Sequence, residues 1–516
     1  MADLGFWNFA KSDGEALALI DPDGREWSRD ELLRDCNRLV HGLRAQGLEK
    51  GDCFAVVLPN GAPIISLYLA AAQAGWYLTP INHHLAAPEI AYIVEDSGAS
   101  VLIADDRFAD TSRAAQQLAG LPDDKCFAIG SIEGFRPYAE LTAGQPDTEP
   151  ADRAAGQVMN YTSGTTGKPK GVRRPLAKLD PDISAALYTG FLSMFGIQAE
   201  DDNVHLVGSP LYHTAVLVFA ASSLNLGHTL VVMERWTPES SLELIERCRV
   251  TTSHMVPTQF HRLLSLPAET RARYDVSSLR HMVHAAAPCP ADIKRQMLDW
   301  WGSSIYEYYA ATEGGGTLVT PDEWLKYPGT VGRAWPTAEI RILDDDGADC
   351  AADEAGTVYI KLGQADFTYH KDPGKTAENR RAGFFTVGDI GYLNSEGYLF
   401  LCDRKSDMII SGGVNIYPAE IEGVLLLHPK VGDVAVFGIP NDDWGEEVRA
   451  VVEPASGIAP GQGLADELLV FCGDKLAKYK TPKAIDFIED MPRDPNGKLY
   501  KRKLRDPYWE GRERSI

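Results

Sequence analysis

What this 516-residue chain lacks removes several classes of protein at once. No run of about eighteen apolar residues occurs, so no segment reads as a membrane-spanning helix. Met1–Ala10 has no basic stretch leading into an apolar one, the layout of a secretory leader. Positive charge is scarce: 50 Lys+Arg stand against 73 Asp+Glu, a formal net charge of −23. That balance argues against a general electrostatic footprint for nucleic acid and against a polybasic membrane-binding surface. The eight cysteines, at 36, 53, 126, 248, 289, 350, 402 and 472, include no CxxC pair, which excludes a zinc ribbon or a thioredoxin-like motif. Their scatter fits reduced, buried thiols in a cytoplasmic protein. No repeat of solenoid period is present. What remains is ordinary globular composition, 44% hydrophobic and 24% charged, in a chain too long for one hydrophobic core.

The first 330 or so residues alternate helical and strand-like text. Ser28 caps an amphipathic run to Ala45, with Leu32, Leu33, Cys36, Leu39, Val40 and Leu43 at helical spacing. Phe54–Leu58 is a short apolar run between turn signals and reads as a buried strand, as do 77–81, 101–104, 126–129, 204–207, 229–232 and 281–284. Ile64–Ala74 reads as a packed helix ending at Gly75. Such alternation predicts parallel sheets with helices on their faces, a layered α/β/α architecture. After about residue 335 the text becomes β-rich, with short strands at 338–343, 356–361 and 398–402. A last unit begins near Arg404, with a helix over 418–428, strands at 434–437 and 448–452, and a helix across 464–478. The expectation is a large N-terminal domain, 1–403, and a small mobile α+β domain, 404–516, with the joint near 406.

The densest chemical signal is Tyr161-Thr162-Ser163-Gly164-Thr165-Thr166-Gly167-Lys168-Pro169-Lys170-Gly171. Glycine lets backbone N–H groups approach phosphate oxygens, hydroxyls donate, and lysines supply charge. It is not a kinase or GTPase P-loop: two residues rather than four separate Gly164 from Gly167, and Pro169 follows Lys168 where that motif needs Ser or Thr.

This loop resembles the phosphate-binding signature of the adenylate-forming superfamily, which includes acyl-CoA synthetases, nonribosomal adenylation domains and luciferases. Further segments resemble its other signatures in order, over roughly residues 25 to 505. Tyr308-Tyr309-Ala310-Ala311-Thr312-Glu313-Gly314 is similar to the family's Tyr-Gly-x-Thr-Glu segment. The resemblance implies that Tyr309 flanks adenine, Thr312 meets the α-phosphate and Glu313 holds Mg²⁺, a fitting task for a hard oxygen ligand; Ala310 departs from the usual glycine. Ala285-Ala286-Ala287-Pro288 resembles the small-residue turn beneath the adenine, with Ala286 at its centre. Gly383-Phe384-Phe385-Thr386-Val387-Gly388-Asp389 resembles the segment whose aspartate, here Asp389, accepts from the ribose hydroxyls; Phe384 and Val387 stand where Trp and Thr are usual. Arg404 matches the arginine that also reaches the ribose, and Ser406 the hinge, where most relatives carry Asp or Lys.

Ser411-Gly412-Gly413-Val414-Asn415-Ile416-Tyr417-Pro418 resembles the glycine pair that admits pantetheine, and Trp444 a position that packs on it. Pro492-Arg493-Asp494-Pro495-Asn496-Gly497-Lys498 resembles the terminal motif whose lysine, here Lys498, stabilises charge at the α-phosphate. Pro210-Leu211-Tyr212-His213-Thr214 resembles the segment bordering the substrate carboxylate, which makes His213 a candidate orienting group. Val256–Phe260 is expected to add pocket wall. The activity implied is AMP-forming acyl-CoA synthesis from ATP, Mg²⁺, CoA and a carboxylic acid. Apolar text around 211–219 favours a fatty acid, though those residues could equally be core. A bulky terpenoid, steroid or aryl acid is the alternative, and a carrier-protein phosphopantetheine could replace CoA. A luciferase-like oxidative enzyme and a non-catalytic nucleotide sensor are the remoter readings.

Overall fold

In the computed structural model of the protein, residues 4–162, 169–199, 202–311, 313–363, 367–493 and 497–511 are described. Two mainly parallel sheets with helices packed on them make up most of residues 4–334. One centres on Cys53–Val57, flanked by Tyr77–Pro80 and Ala99–Asp105 in parallel. All five residues of Cys53–Val57 are buried, as a central parallel strand covered on both faces requires. The other runs Val204–Val207, Thr252–Met255, His281–His284 and Ile305–Ala310 in parallel. Gly316–Val319 then adds an antiparallel strand to Ile305–Ala310.

Local sequence explains the entries into these elements. The helix Arg29–Ala45 starts with a capping box: Ser28 Oγ accepts from Glu31 N at 3.2 Å, and Ser28 N donates to Glu31 Oε2 at 2.9 Å. The helix Ala62–Ala74 ends at Gly75, whose φ of +74° is the left-handed cap that glycine takes without strain.

A β-rich layer follows. Gly356–Leu362 pairs with Ala338–Leu343 and Asp389–Leu393, and the latter with Leu399–Arg404. The sheet then changes: Ile409–Ser411 belongs to a separate sheet with Val414–Ile416, Val431–Asn441, Gly445–Pro454 and Ala484–Phe487. This last sheet has an apolar cluster of its own, including Ile409, Ile421, Leu425, Val434, Val448 and Leu468. The fold is therefore the expected α/β one, a large N-terminal part with a β-rich layer and a small C-terminal α+β part.

Several elements differ in length from their sequence reading. The strands Val431–Asn441 and Gly445–Pro454 run to eleven and ten residues, well beyond the expected 434–437 and 448–452, because the hairpin continues past its apolar middle into polar text. The helices Pro418–Leu425 and Gln462–Gly473 stop earlier than expected. Among the described residues no helix is long and apolar enough to cross a membrane.

Candidate active site

The strand Ile305–Ala310 carries Tyr309 to the C-terminal edge of the second sheet. There Tyr309 Oη donates to Asp389 Oδ2 at 2.6 Å, and Arg404 Nε lies 3.4 Å from Asp389 Oδ1. Register explains the pairing, since Asp389 sits opposite Arg404 on adjoining antiparallel strands. Burial and the Asp389 carboxylate push the Tyr309 phenol well above its ordinary range, so it stays a donor. Asp389, Arg404 and Tyr309, eighty residues apart at the first and last of these, thus form one polar group.

Ala286 has φ of +73°, a left-handed conformation rarely taken by a residue with a Cβ. It lies in the turn just after His281–His284. Beneath that turn is a buried ionic group that the sequence reading did not pick out. Lys294 Nζ donates to Glu307 Oε2 at 2.6 Å with both side chains buried, and His284 Nε2 is 3.5 Å from the same oxygen. Burial, then the Lys294 charge, hold His284 well below its ordinary pKa and therefore neutral.

Glu313 stands beyond the turn and accepts from Tyr369 Oη at 2.7 Å through Oε1. Lys170, paired with Thr162 across two strands, places its ammonium 5.4 Å from the centre of the Tyr369 ring. Ser163, Gly164, Thr165, Thr166, Gly167 and Lys168, and Thr312, lie outside the described residues, as does the side chain of Thr162.

His213 precedes the helix Thr214–Asn225 as its N-cap residue. Its Nε2 is buried without a hydrogen-bond partner among the described residues. Desolvation first and the charge of Lys498 second lower its pKa to about 3, so the ring is neutral at physiological pH. The turn that carries Lys498 rests on the first turn of the helix Pro257–Leu264. Gly497 has φ of +77°, and a Cβ there would lie 2.4 Å from Thr258 Oγ1. No larger residue fits without displacing the turn. Arg493 braces the same turn: it is paired with Asp433 at 2.5 and 2.8 Å and donates from Nη1 to Gly497 O at 2.6 Å. Tyr369, Asp433 and Arg493 were not singled out from sequence, and Thr258 only as part of the expected pocket wall Val256–Phe260. Arg493 lies inside the terminal motif; Tyr369 and Asp433 carry no local signal.

Gly412, Gly413 and Trp444 form a different, exposed group. Gly412 and Gly413 turn a hairpin with φ of +58° and +79°. Gly412 N donates to Trp444 O at 2.8 Å, and a Cβ on Gly412 would meet the indole at 2.5 Å. Trp444 itself is 62% exposed. Ser406 is exposed between the two sheets, and its carbonyl accepts from Arg505 at 3.2 Å. Val256 and Phe260, expected as pocket wall, are buried in the core, and of that segment Thr258 faces the Lys498 turn.

The strand pair on either side of residues 163–168, the Asp389–Arg404–Tyr309 group and the Lys498 turn seated on Thr258 are the parts expected of an adenylate-forming enzyme. The comparisons agree: the chain belongs to the AMP-binding enzyme family, matching it over residues 6–365 and the AMP-binding enzyme C-terminal domain over 420–498. It is 31% identical over 505 residues to the fatty acid–[acyl-carrier-protein] ligase ScoC of Streptomyces coeruleorubidus, covering 96% of this chain and 94% of that one. It is 34% identical over 478 residues to the long-chain-fatty-acid–CoA ligase FadD13 of Mycobacterium tuberculosis (92% and 91%). It is 34% identical over 511 residues to a feruloyl-CoA synthase of an Amycolatopsis species (97% and 98%). The crystal structure of the ATP-bound RpMatB-BxBclM chimera B1 superposes with a TM-score of 0.83 at 30% identity, covering 99% of this chain and 100% of that one.

Proposed function

We propose that the protein is an acyl-CoA ligase that activates a hydrophobic carboxylic acid, a fatty acid, through an acyl-adenylate. The observation that supports this best is the seating of the turn that carries Lys498 on Thr258, with the Lys498 charge felt at His213. In the first half-reaction the acid's carboxylate oxygen attacks the α-phosphorus of ATP and pyrophosphate leaves. Lys498 stabilises the negative charge that builds on the α-phosphate oxygens. Asp389 and Arg404 hold the ribose, Tyr309 lies against the adenine, and the 162–170 hairpin holds the departing phosphates. Neutral His213 orients the carboxylate by a hydrogen bond and cannot compete with Lys498 as a cation. Glu313 suits Mg²⁺: a carboxylate held by Tyr369 is a hard oxygen ligand for a cation that phosphates also bind. When bound, that ion would offset phosphate charge.

In the second half-reaction the C-terminal part, 404–516, turns about Ser406 and withdraws Lys498. Gly412, Gly413 and Trp444 then face the acyl carbon, the CoA thiol attacks it, and AMP leaves. The ligases of fatty acids among the relatives support the acid class, and the carrier-protein ligase makes phosphopantetheine on a protein the alternative acceptor. A pyrophosphate-release screen over alkanoic and aryl acids, with CoA or a holo-carrier protein as acceptor, tests this. Alkanoates with CoA should give the highest kcat/KM. Release with aryl acids alone would replace the acid class, and no release with any acid would refute the ligase reading.

A further inference from the structure

Asn160–Thr162, Lys170–Arg173 and Thr368–Tyr369 form a three-stranded sheet apart from the others. Lys170–Arg173 is its middle strand and runs antiparallel to both neighbours: Gly171 pairs with Tyr161, and Val172 with Tyr369. Just past Tyr369, His370 N donates to Gly171 O at 2.8 Å and carries the pairing one residue further. The strands are three, four and two residues long. So few backbone pairs hold little by themselves, and the position of the sheet depends on what it is fastened to.

Both of its edges are fastened to the C-terminal end of the helix Ala87–Ser97. On the first strand, Tyr161 Oη donates to Asp96 Oδ2 at 2.7 Å, the length of a hydrogen bond to a charged acceptor. The Tyr161 ring lies against Gly171 of the facing strand, where a Cβ would come within 2.9 Å of it. From the opposite edge, Lys371 Nζ donates to Asp96 O at 2.7 Å and lies 3.5 Å from Glu95 O. These carbonyls belong to the last turn of the helix, short of intrahelical partners and at the negative end of its dipole, where an ammonium is well placed. Lys371 makes the contact from a left-handed backbone, φ +56°, which few residues with a Cβ adopt. Asp96 therefore joins two edges that lie 65 and 275 residues away from it in sequence.

Two groups of the candidate site depend on this sheet. Lys170 stands on its middle strand, with its ammonium 5.4 Å from the centre of the Tyr369 ring, and Tyr369 Oη on the third strand holds Glu313 at 2.7 Å. Tyr309, Asp389 and Arg404 stand on two other sheets. We propose that Asp96 is a positioning residue for the triphosphate of ATP: by holding both edges of the small sheet it sets Lys170 and Glu313 at the spacing that the β- and γ-phosphates and their cation require. The role rests on the ligase reading above, which gives Lys170 to the phosphates and Glu313 to Mg²⁺. Asp96 acts only through Tyr161 and Lys371, and displacement of a binding group by such a distant change can cost as much as the loss of the group itself.

The test is titration calorimetry of the full-length protein with MgATP and, separately, with AMP, using wild type, Tyr161→Phe, Asp96→Leu and Asp96→Asn. AMP lacks the β- and γ-phosphates, so its Kd reports the adenine and ribose groups without the small sheet. In Tyr161→Phe and Asp96→Leu the Kd for MgATP should rise about tenfold, the size of one hydrogen bond to a charged group, while that for AMP stays within about twofold. Asp96→Asn keeps an acceptor oxygen for Tyr161 and should bind MgATP more tightly than Asp96→Leu. Tyr161 and Asp96 lie on different elements, so if one variant fails to fold the other decides. MgATP and AMP weakened alike would make Asp96 a support of the fold at large, and MgATP binding unchanged in the folded variants would mean that the sheet keeps its place without Asp96. Either result overturns the positioning role while the ligase reading stands. A wild type that binds neither nucleotide overturns the ligase reading itself, and this role with it.

Discussion

Lys498 has one charge to deliver, and three neighbours fix where it is delivered. Arg493 holds the preceding carbonyl, Asp433 holds Arg493, and the missing Cβ of Gly497 lets the turn lie on Thr258. A preorganised donor at developing charge is worth about 10²–10³ in rate where single donors have been removed. Lys498→Ala should therefore lower acyl-adenylate formation at least a hundredfold and lower thioester formation from supplied acyl-adenylate far less. Separate assays of the two half-reactions check this, and equal losses would remove Lys498 from adenylation. Lys498, Asp389 and Glu313 were legible in the sequence because each sits in a contiguous motif. Their supports were not: Arg493 and Asp433 are sixty residues apart, and Tyr369 is fifty-six from Glu313, so only folding brings them together.

At the scale of elements, the helix Ala291–Trp301 is tied to the strand Ile305–Ala310 by the buried Lys294–Glu307 pair. That strand carries Tyr309, so the pair supports the Tyr309–Asp389 group from below. Removing one partner of a buried pair leaves an uncompensated charge and costs about 3–5 kcal/mol, whereas replacing both by apolar groups is often tolerated. Lys294→Met should thus lower the thermal midpoint sharply, and Lys294→Met with Glu307→Leu should recover most of the loss. A double variant no more stable than the single one would show that the pair contributes through packing alone. Elements were legible where apolar runs were bounded by turns, as in Val204–Val207, Thr229–Val232 and His281–His284. The run 216–219 was ambiguous for a physical reason: a helix turns successive residues through different directions, so Val216, Leu217 and Phe219 are core while Val218 is half-buried.

Across the whole molecule, net charge misleads about ligands. The polyanions proposed as ligands would meet a locally positive stretch, since residues 474–516, which contain Lys498, hold twelve Lys+Arg against eight Asp+Glu. Buried imidazoles have a larger global effect. His205, His228 and His254 are buried within the large part, and desolvation lowers their pKa values to about 3, 4 and 4. Unfolded, each would bind a proton near pH 6.5, so between pH 6.5 and 4 the unfolded chain holds more protons than the folded one. Their contribution is full above pH 6.5 and is lost as pH falls toward the folded values, by up to about 1.4 kcal/mol per unit for each histidine. The thermal midpoint should therefore drop steeply between pH 7.5 and 5.0. A midpoint flat over that interval would mean that these rings are protonated in the folded state.

The exposure of Trp444 has a spectroscopic consequence. Of the ten tryptophans it alone stands among the exposed large side chains, and it does so on the surface proposed to receive the acceptor thiol. The chain therefore carries its own optical label: one indole fully open to collisional quenching by iodide, against four buried and five half-buried. An acceptor lying across Gly412 would shield that indole and shift its emission to the blue, so domain rotation and acceptor docking can be timed in the unmodified protein without an attached dye.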